Sequence, residues 1–116
     1  LVIKDQDPAG TGLVGTNYSF YVIRVIGNPP NISNIYFRAN GIVLYQTFMS
    51  SIDALTGFVE LKVDTNIGEF KLYVNGIFLT TINDATYTTG YNGLAVTNID
   101  TVTTVEFEDY SMGAPV

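Results

Sequence analysis

From Glu69 to Val74 the chain reads Glu-Phe-Lys-Leu-Tyr-Val, with Phe70, Leu72 and Val74 at alternate positions and Glu69, Lys71 and Tyr73 between them. A period of two puts these sets on opposite faces of an extended segment, so the pattern predicts a half-buried strand. The stretch from Gly57 to Asp64 repeats it, setting Val59, Leu61 and Val63 against Glu60, Lys62 and Asp64, and the Thr65-Asn66-Ile67-Gly68 turn joins the two as a hairpin. Asn75-Gly76 follows at once and supplies two residues tolerant of positive φ, as a tight hairpin turn requires. Ile77 to Ile82 then returns as the next strand.

The remainder of the chain reads the same way. Leu1 to Asp5 is a short strand, and the Gly, Pro, Asp and Thr of residues 6–16 form a loop. Asn17 to Ile26 is apolar on both sides, with Tyr18, Phe20, Val22 and Ile26 opposing Tyr21, Ile23 and Val25, which predicts a central strand covered twice. Asn34 to Ala39 and Ile42 to Phe48 flank Asn40-Gly41 and predict a second hairpin of the same kind, with Ile35, Phe37 and Leu44 facing the core. Gly93 to Thr97 and Thr101 to Ser111 read as closing strands. The sequences IYFRANGIVL and KLYVNGIFL share an Asn-Gly-Ile-x-Leu core set 35 residues apart. Turn chemistry is the simpler account of that echo, because a repeat architecture needs at least three units. The best helical candidate, Thr47 to Leu55, is short and has no apolar stripe, so the class is all-β.

Composition limits the chemistry. At 116 residues the chain is one domain able to bury a core without staples, assigned here to residues 1–112 with a tail at 113–116. There is no Cys and no His, which excludes disulfides and nucleophile–base pairs of the Ser-His or Cys-His kind. Five basic residues stand against eleven acidic ones, a net charge of −6, so nucleic acid is not an expected partner. The apolar runs fall far short of a membrane span, so no membrane insertion is expected. The chain opens at Leu1 rather than Met, with no charged n-region followed by an apolar h-region, so the expectation is a leader or upstream region that was removed or left out.

With the strands placed, the chain resembles a concanavalin A-like, laminin G-like jelly roll of the lectin and glucanase kind. LVIKDQD resembles the family's strand with a D-x-D ending, NYSFYVIRV its Tyr-rich central strand, and IYFRANGIVL the hairpin after it. GFVELKVDTNIGEFKLYVNGIFLTTIND resembles the most characteristic section, and TGYNGLAV and VEFEDYSM the closing strands. The resemblance covers residues 1 to 112 and implies an antiparallel two-sheet β-sandwich of jelly-roll type in an extracellular or surface setting. Family members carry further strands before the segment matched by LVIKDQD. The resemblance therefore implies a trimmed domain, a fragment, or a domain completed by a strand from a neighbouring chain, and an open edge invites such strand addition.

Function follows from which side chains could act. A glycosidase of this fold class would present two carboxylates on one strand in an E-x-D-x-x-E or E-x-D-x-E pattern, which the chain lacks; Glu106, Glu108 and Asp109 come nearest and read as a solvated outer face. The expectation is therefore a protein that is not an enzyme. Asp5, Asp7 and Asp84 are the candidate metal ligands, with Asp100 a further one; related modules hold calcium at the sandwich rim, although no run has calcium-loop spacing. For carbohydrate the candidates are Tyr36, Arg38, Tyr45 and Tyr73 on the outer faces, joined by Lys71, and Tyr91 with Tyr87 in the loop TYTTGYNG. If the strands share a sheet, Tyr36, Arg38, Tyr45, Lys71 and Tyr73 make one platform, and the loop tyrosines would instead reach a ligand from the rim; the plainer reading of each platform tyrosine is cross-strand packing. Asn17-Tyr18-Ser19 and Asn31-Ile32-Ser33 fit the glycosylation pattern. Two functions remain open: a non-catalytic carbohydrate-binding module, or a structural subunit of a virion, fibre or adhesin that self-associates as a homo-oligomer.

Overall fold

The computed structural model describes residues 1–6, 16–25, 32–49 and 59–93. These residues form eight strands and, among them, no helix: β1 Val2–Asp5, β2 Tyr18–Val25, β3 Ile32–Ala39, β4 Ile42–Met49, β5 Leu61–Asn66, β6 Glu69–Val74, β7 Ile77–Asn83 and β8 Tyr91–Gly93. One sheet has the order β4-β3-β2-β1-β8 and the other β5-β6-β7, and every pairing is antiparallel. The chain is thus all-β, built as two facing antiparallel sheets. The expected strands over residues 101–111, the tail at 113–116 and the segment around Thr47 to Leu55 beyond Met49 lie outside the described residues.

The alternation read from the sequence decides which faces meet. Phe70, Leu72 and Val74 of β6 are fully buried, as are Tyr18 and Phe20 of β2 and Ile35 and Phe37 of β3, and all belong to one core between the sheets. Rings from the two sheets touch directly: the Phe70 ring centroid lies 4.4 Å from that of Tyr18 and 5.3 Å from that of Phe37. Val59, Leu61 and Val63 are partly buried against the same core. Removing this apolar area from water is the main force that holds the sheets together.

Central position alone does not cover β2 twice. The strand is paired with β1 and β3, but Ile23 on its outer side is 48% exposed. The double-apolar pattern arises instead because Tyr21 on that face stacks against Tyr36 of β3, with centroids 5.4 Å apart and planes 22° from parallel. An aromatic ring with a polar tip serves a half-wet surface as well as a dry one.

The two Asn-Gly hairpins match in detail. Asn40 and Gly41 have φ of 50° and 79°, and Asn75 and Gly76 have 49° and 79°, so both turns hold both central residues at positive φ. In the first hairpin Ala39 pairs with Ile42, Arg38 with Val43, and then Phe37 with Tyr45, leaving Leu44 unmatched. In the second, Val74 pairs with Ile77, Tyr73 with Phe78, and then Leu72 with Thr80, leaving Leu79 unmatched. The bulge therefore falls on the same leucine of the shared motif. The third strand joins in the same way as well: the Asn40 amide donates to the Asn17 carbonyl at 3.1 Å, and the Asn75 amide to the Glu60 carbonyl at 2.9 Å. One three-stranded meander thus occurs twice, once in each sheet, so the echo extends well past turn chemistry.

Gly76 gives a direct test of this local geometry. A Cβ added there would meet nothing within 4 Å, so any cost is conformational rather than steric crowding by neighbours. Gly76→Val is expected to lose about 1–3 kcal/mol, because a β-branched residue is strained at positive φ. Gly76→Asn should lose less, since asparagine tolerates that region. Urea midpoints of the two variants measure the difference, and equal midpoints would refute the assignment.

Candidate functional site

The outer face of the five-stranded sheet gathers the polar and aromatic side chains most suited to a ligand. Register places them in cross-strand rows: Ile23, Asn34 and Phe48; then Tyr21, Tyr36 and Gln46; then Ser19, Arg38 and Val43. Hydrogen bonds link the rows. Gln46 Nε2 donates to Asn34 Oδ1 at 2.6 Å, and Asn34 Nδ2 donates to the Tyr36 hydroxyl at 2.8 Å. Arg38 Nη1 donates to the Tyr21 hydroxyl at 3.1 Å, while Nη2 donates to the Gly41 carbonyl at 2.6 Å. Asn34 is 8% exposed, and Phe48 at 56% and Val43 at 44% give the patch an apolar rim. The arrangement is a braced aromatic shelf with amides and one cation set beside it.

Of the sequence-derived carbohydrate candidates, only Tyr36 and Arg38 stand together here. Tyr45 is displaced by the bulge at Leu44: it pairs with Phe37 and packs against the core, whereas two-residue alternation from Leu44 would turn it outward. Tyr73 does face outward, but β6 belongs to the other sheet, so it lies on the opposite side of the sandwich. There it pairs with Phe78, ring centroids 5.4 Å apart, and carries Lys62 Nζ 5.0 Å above its ring. Lys71 on the same face lies 3.9 Å from Glu69. Tyr91, 68% exposed, is on β8 at the far end of the sheet order from β4. The strands do not all share a sheet, and the carbohydrate candidates fall in four places: the shelf, the core side of β4, the outer face of the second sheet, and β8.

Tyr21, Asn34 and Gln46 complete the shelf and escaped the sequence reading. Alternation alone placed Tyr21 on the side opposite Phe20, but the pairing of Tyr21 with Tyr36 depends on a register that the β2–β3 connection leaves open.

The metal candidates do not converge among the described residues. Asp84 follows β7 and is engaged within the fold: its Oδ1 accepts from the Tyr18 hydroxyl at 2.6 Å and from the Thr86 amide at 2.9 Å. The Tyr18 bond first, and the Thr86 bonds after it, hold the Asp84 carboxyl below its ordinary pKa. Burial, followed by the Asp84 contact, pushes the Tyr18 phenol above its own. Asp5 pairs through its backbone with Tyr91, while its side chain, Asp7 and Asp100 lie outside the described set. No group of three or more acidic, His or Cys side chains able to hold a metal occurs among the described residues. Glu106, Glu108, Asp109 and Asn31 also lie outside them.

Tyr91, expected in a loop, begins β8, whereas Tyr87 meets Tyr18 edge-on with centroids 5.7 Å apart and donates its amide to the Tyr18 hydroxyl at 3.2 Å, so it serves the core. Asn17 of the first glycosylation pattern is partly buried and donates Nδ2 to the Tyr18 carbonyl at 2.8 Å. No helix among the described residues is long and apolar enough to cross a membrane. Comparison with models of protein families, with curated proteins and with solved structures gives no match for this chain.

Proposed function

We propose that the protein is a non-catalytic carbohydrate-binding module of jelly-roll type, acting outside the cell or at a surface. The observation that supports this reading is the contiguous outer shelf of Tyr21, Tyr36, Asn34, Arg38 and Gln46. A sugar ring has an apolar face that suits an aromatic shelf and hydroxyls that suit amides and a guanidinium. Loss of the Tyr36 ring should weaken binding by about tenfold, as truncating an aromatic anchor at the centre of a contact does. Tyr36→Ala, read by titration calorimetry against a panel of oligosaccharides, tests this; Tyr73→Ala, on the other outer face, should leave affinity unchanged. A larger loss in the Tyr73 variant would move the site to the second sheet.

A structural role has its own support. β4 and β7 are the outermost described strands at one side of each sheet and contain no charged residue, while Ile42, Phe48, Ile77 and Phe78 on them are 49–65% exposed. Uncharged outer strands are templates for pairing with another chain. Oligomers that grow with protein concentration and bind no saccharide would favour this reading over the first.

A further inference from the structure

Among the described residues, the shelf of the five-stranded sheet has a surplus of donors and a cation that no carboxylate pairs. Both phenol oxygens already accept: Tyr21 from Arg38 and Tyr36 from Asn34. Among the described residues neither phenol proton has an acceptor, so both remain to be donated. The Arg38 guanidinium carries five N–H groups, of which one goes to Tyr21 and one to the Gly41 carbonyl. Its Nε is buried with no acceptor. No carboxylate pairs with it among the described residues, whose ion pairs are Lys62 with Asp64 and Lys71 with Glu69. The described side chains on the outer face of β2, β3 and β4 include no acid, while Asp64 and Glu69 lie on the opposite face of the sandwich.

A half-buried guanidinium without a counter-ion is costly unless something supplies the charge. The missing partner must accept hydrogen bonds, carry negative charge and lie against an aromatic shelf. A carboxylate meets the first two requirements, and its planar geometry suits the guanidinium fork. The donation from Arg38 to Tyr21 also polarises that phenol toward donating its own proton onward.

We propose that the Arg38 end of this shelf is a subsite for the carboxylate of an acidic sugar, so that the ligand is a uronic-acid-containing saccharide. The inference rests on the carbohydrate reading and specifies its ligand class.

The test titrates the whole chain with trigalacturonic acid, with neutral galactotriose and with a sulfated galactotriose, at low and high NaCl. Wild type should prefer trigalacturonic acid over the neutral sugar by roughly tenfold or more, with the preference shrinking as salt screens it. Arg38→Gln should abolish that preference, so that the variant binds trigalacturonic acid no more tightly than galactotriose; Arg38→Lys, which keeps the charge but not the fork, should fall between. If Arg38→Gln does not fold, the lysine variant and the salt dependence decide. Equal affinity of wild type for the acidic and neutral sugars, or an unaltered preference in the variants, overturns the carboxylate subsite and leaves the shelf reading standing. Binding of the sulfated sugar alone overturns the carboxylate and assigns the cation to sulfate. Binding of none of the three by the folded protein overturns the subsite and the carbohydrate reading with it.

Discussion

Phe70→Ala is expected to cost about 3–5 kcal/mol, enough to unfold much of a marginally stable domain. Phe70 has no exposed surface, and its ring touches Tyr18 and Phe37 of the opposing sheet, so truncation removes contacts to both and leaves a cavity where the sheets meet. Three residues along the same strand, Tyr73→Ala should cost only about 1 kcal/mol, the worth of a cross-strand aromatic pair and a wet cation–π contact. The contrast is the informative measurement, because both changes delete a ring from β6 and differ only in the face it occupies. Urea unfolding of the two variants, read by tyrosine fluorescence and by circular dichroism, gives the comparison. Equal losses would mean that β6 is covered on both faces.

Tyr18 carries the second large effect. Its ring is fully buried, stacked on Phe37 at 5.6 Å and tilted against Phe70, and its hydroxyl reaches Asp84 just beyond β7 in the other sheet. Asp84 is in turn tied to the β5–β6 turn through its amide, which donates to the Gly68 carbonyl at 2.9 Å. Tyr18→Ala should lose about 3–5 kcal/mol, whereas Tyr18→Phe keeps the ring and should lose about 1.5–3 kcal/mol, the net value of a hydrogen bond to a charged group.

The same bond makes a prediction about pH. Asp84 has a folded pKa below its ordinary 3.8, so the folded state favours the ionised form. Its contribution is present above pH 3.8 and is lost as pH falls through 3.8 and then through the lower folded value. The stability gap between wild type and Tyr18→Phe should therefore narrow on acidification below about pH 4. At the alkaline end the sign reverses in form: the Tyr18 pKa is raised above 10, so the protonated phenol is favoured in the fold and its contribution falls as pH rises through 10. Unfolding free energies of the two proteins at pH 3, 7 and 10.5 would check both limbs. A gap that does not change with pH would place the Tyr18–Asp84 bond outside the energetics of folding.

Much of the strand content was legible because it rests on local chemistry. The alternation of Phe70, Leu72 and Val74 named a buried face that the fold keeps, and the two Asn-Gly pairs named turns whose φ values agree to within a degree. Positive φ at both central residues is a property of the dipeptide and needs no tertiary help. The candidate site was legible only in part. Tyr36 and Arg38 were found because they share a strand face, but Tyr45 was misplaced because a bulge at Leu44 shifts every later residue to the other face. Nothing in Ile-Val-Leu-Tyr marks the bulge, which arises from how β4 meets β3.

The sequence by itself determined that this protein is all-β, which faces of β5 and β6 are dry, and where two hairpins turn, since each depends on a few neighbouring residues and the two-residue period of an extended chain. Only the tertiary structure decided which strands share a sheet, that one meander occurs once in each, and that Tyr21, Asn34 and Gln46 join Tyr36 and Arg38 while Tyr73 lies on the opposite outer face. Those outcomes depend on register and sheet membership, and these are set by contacts between residues far apart in the chain, which no local pattern encodes.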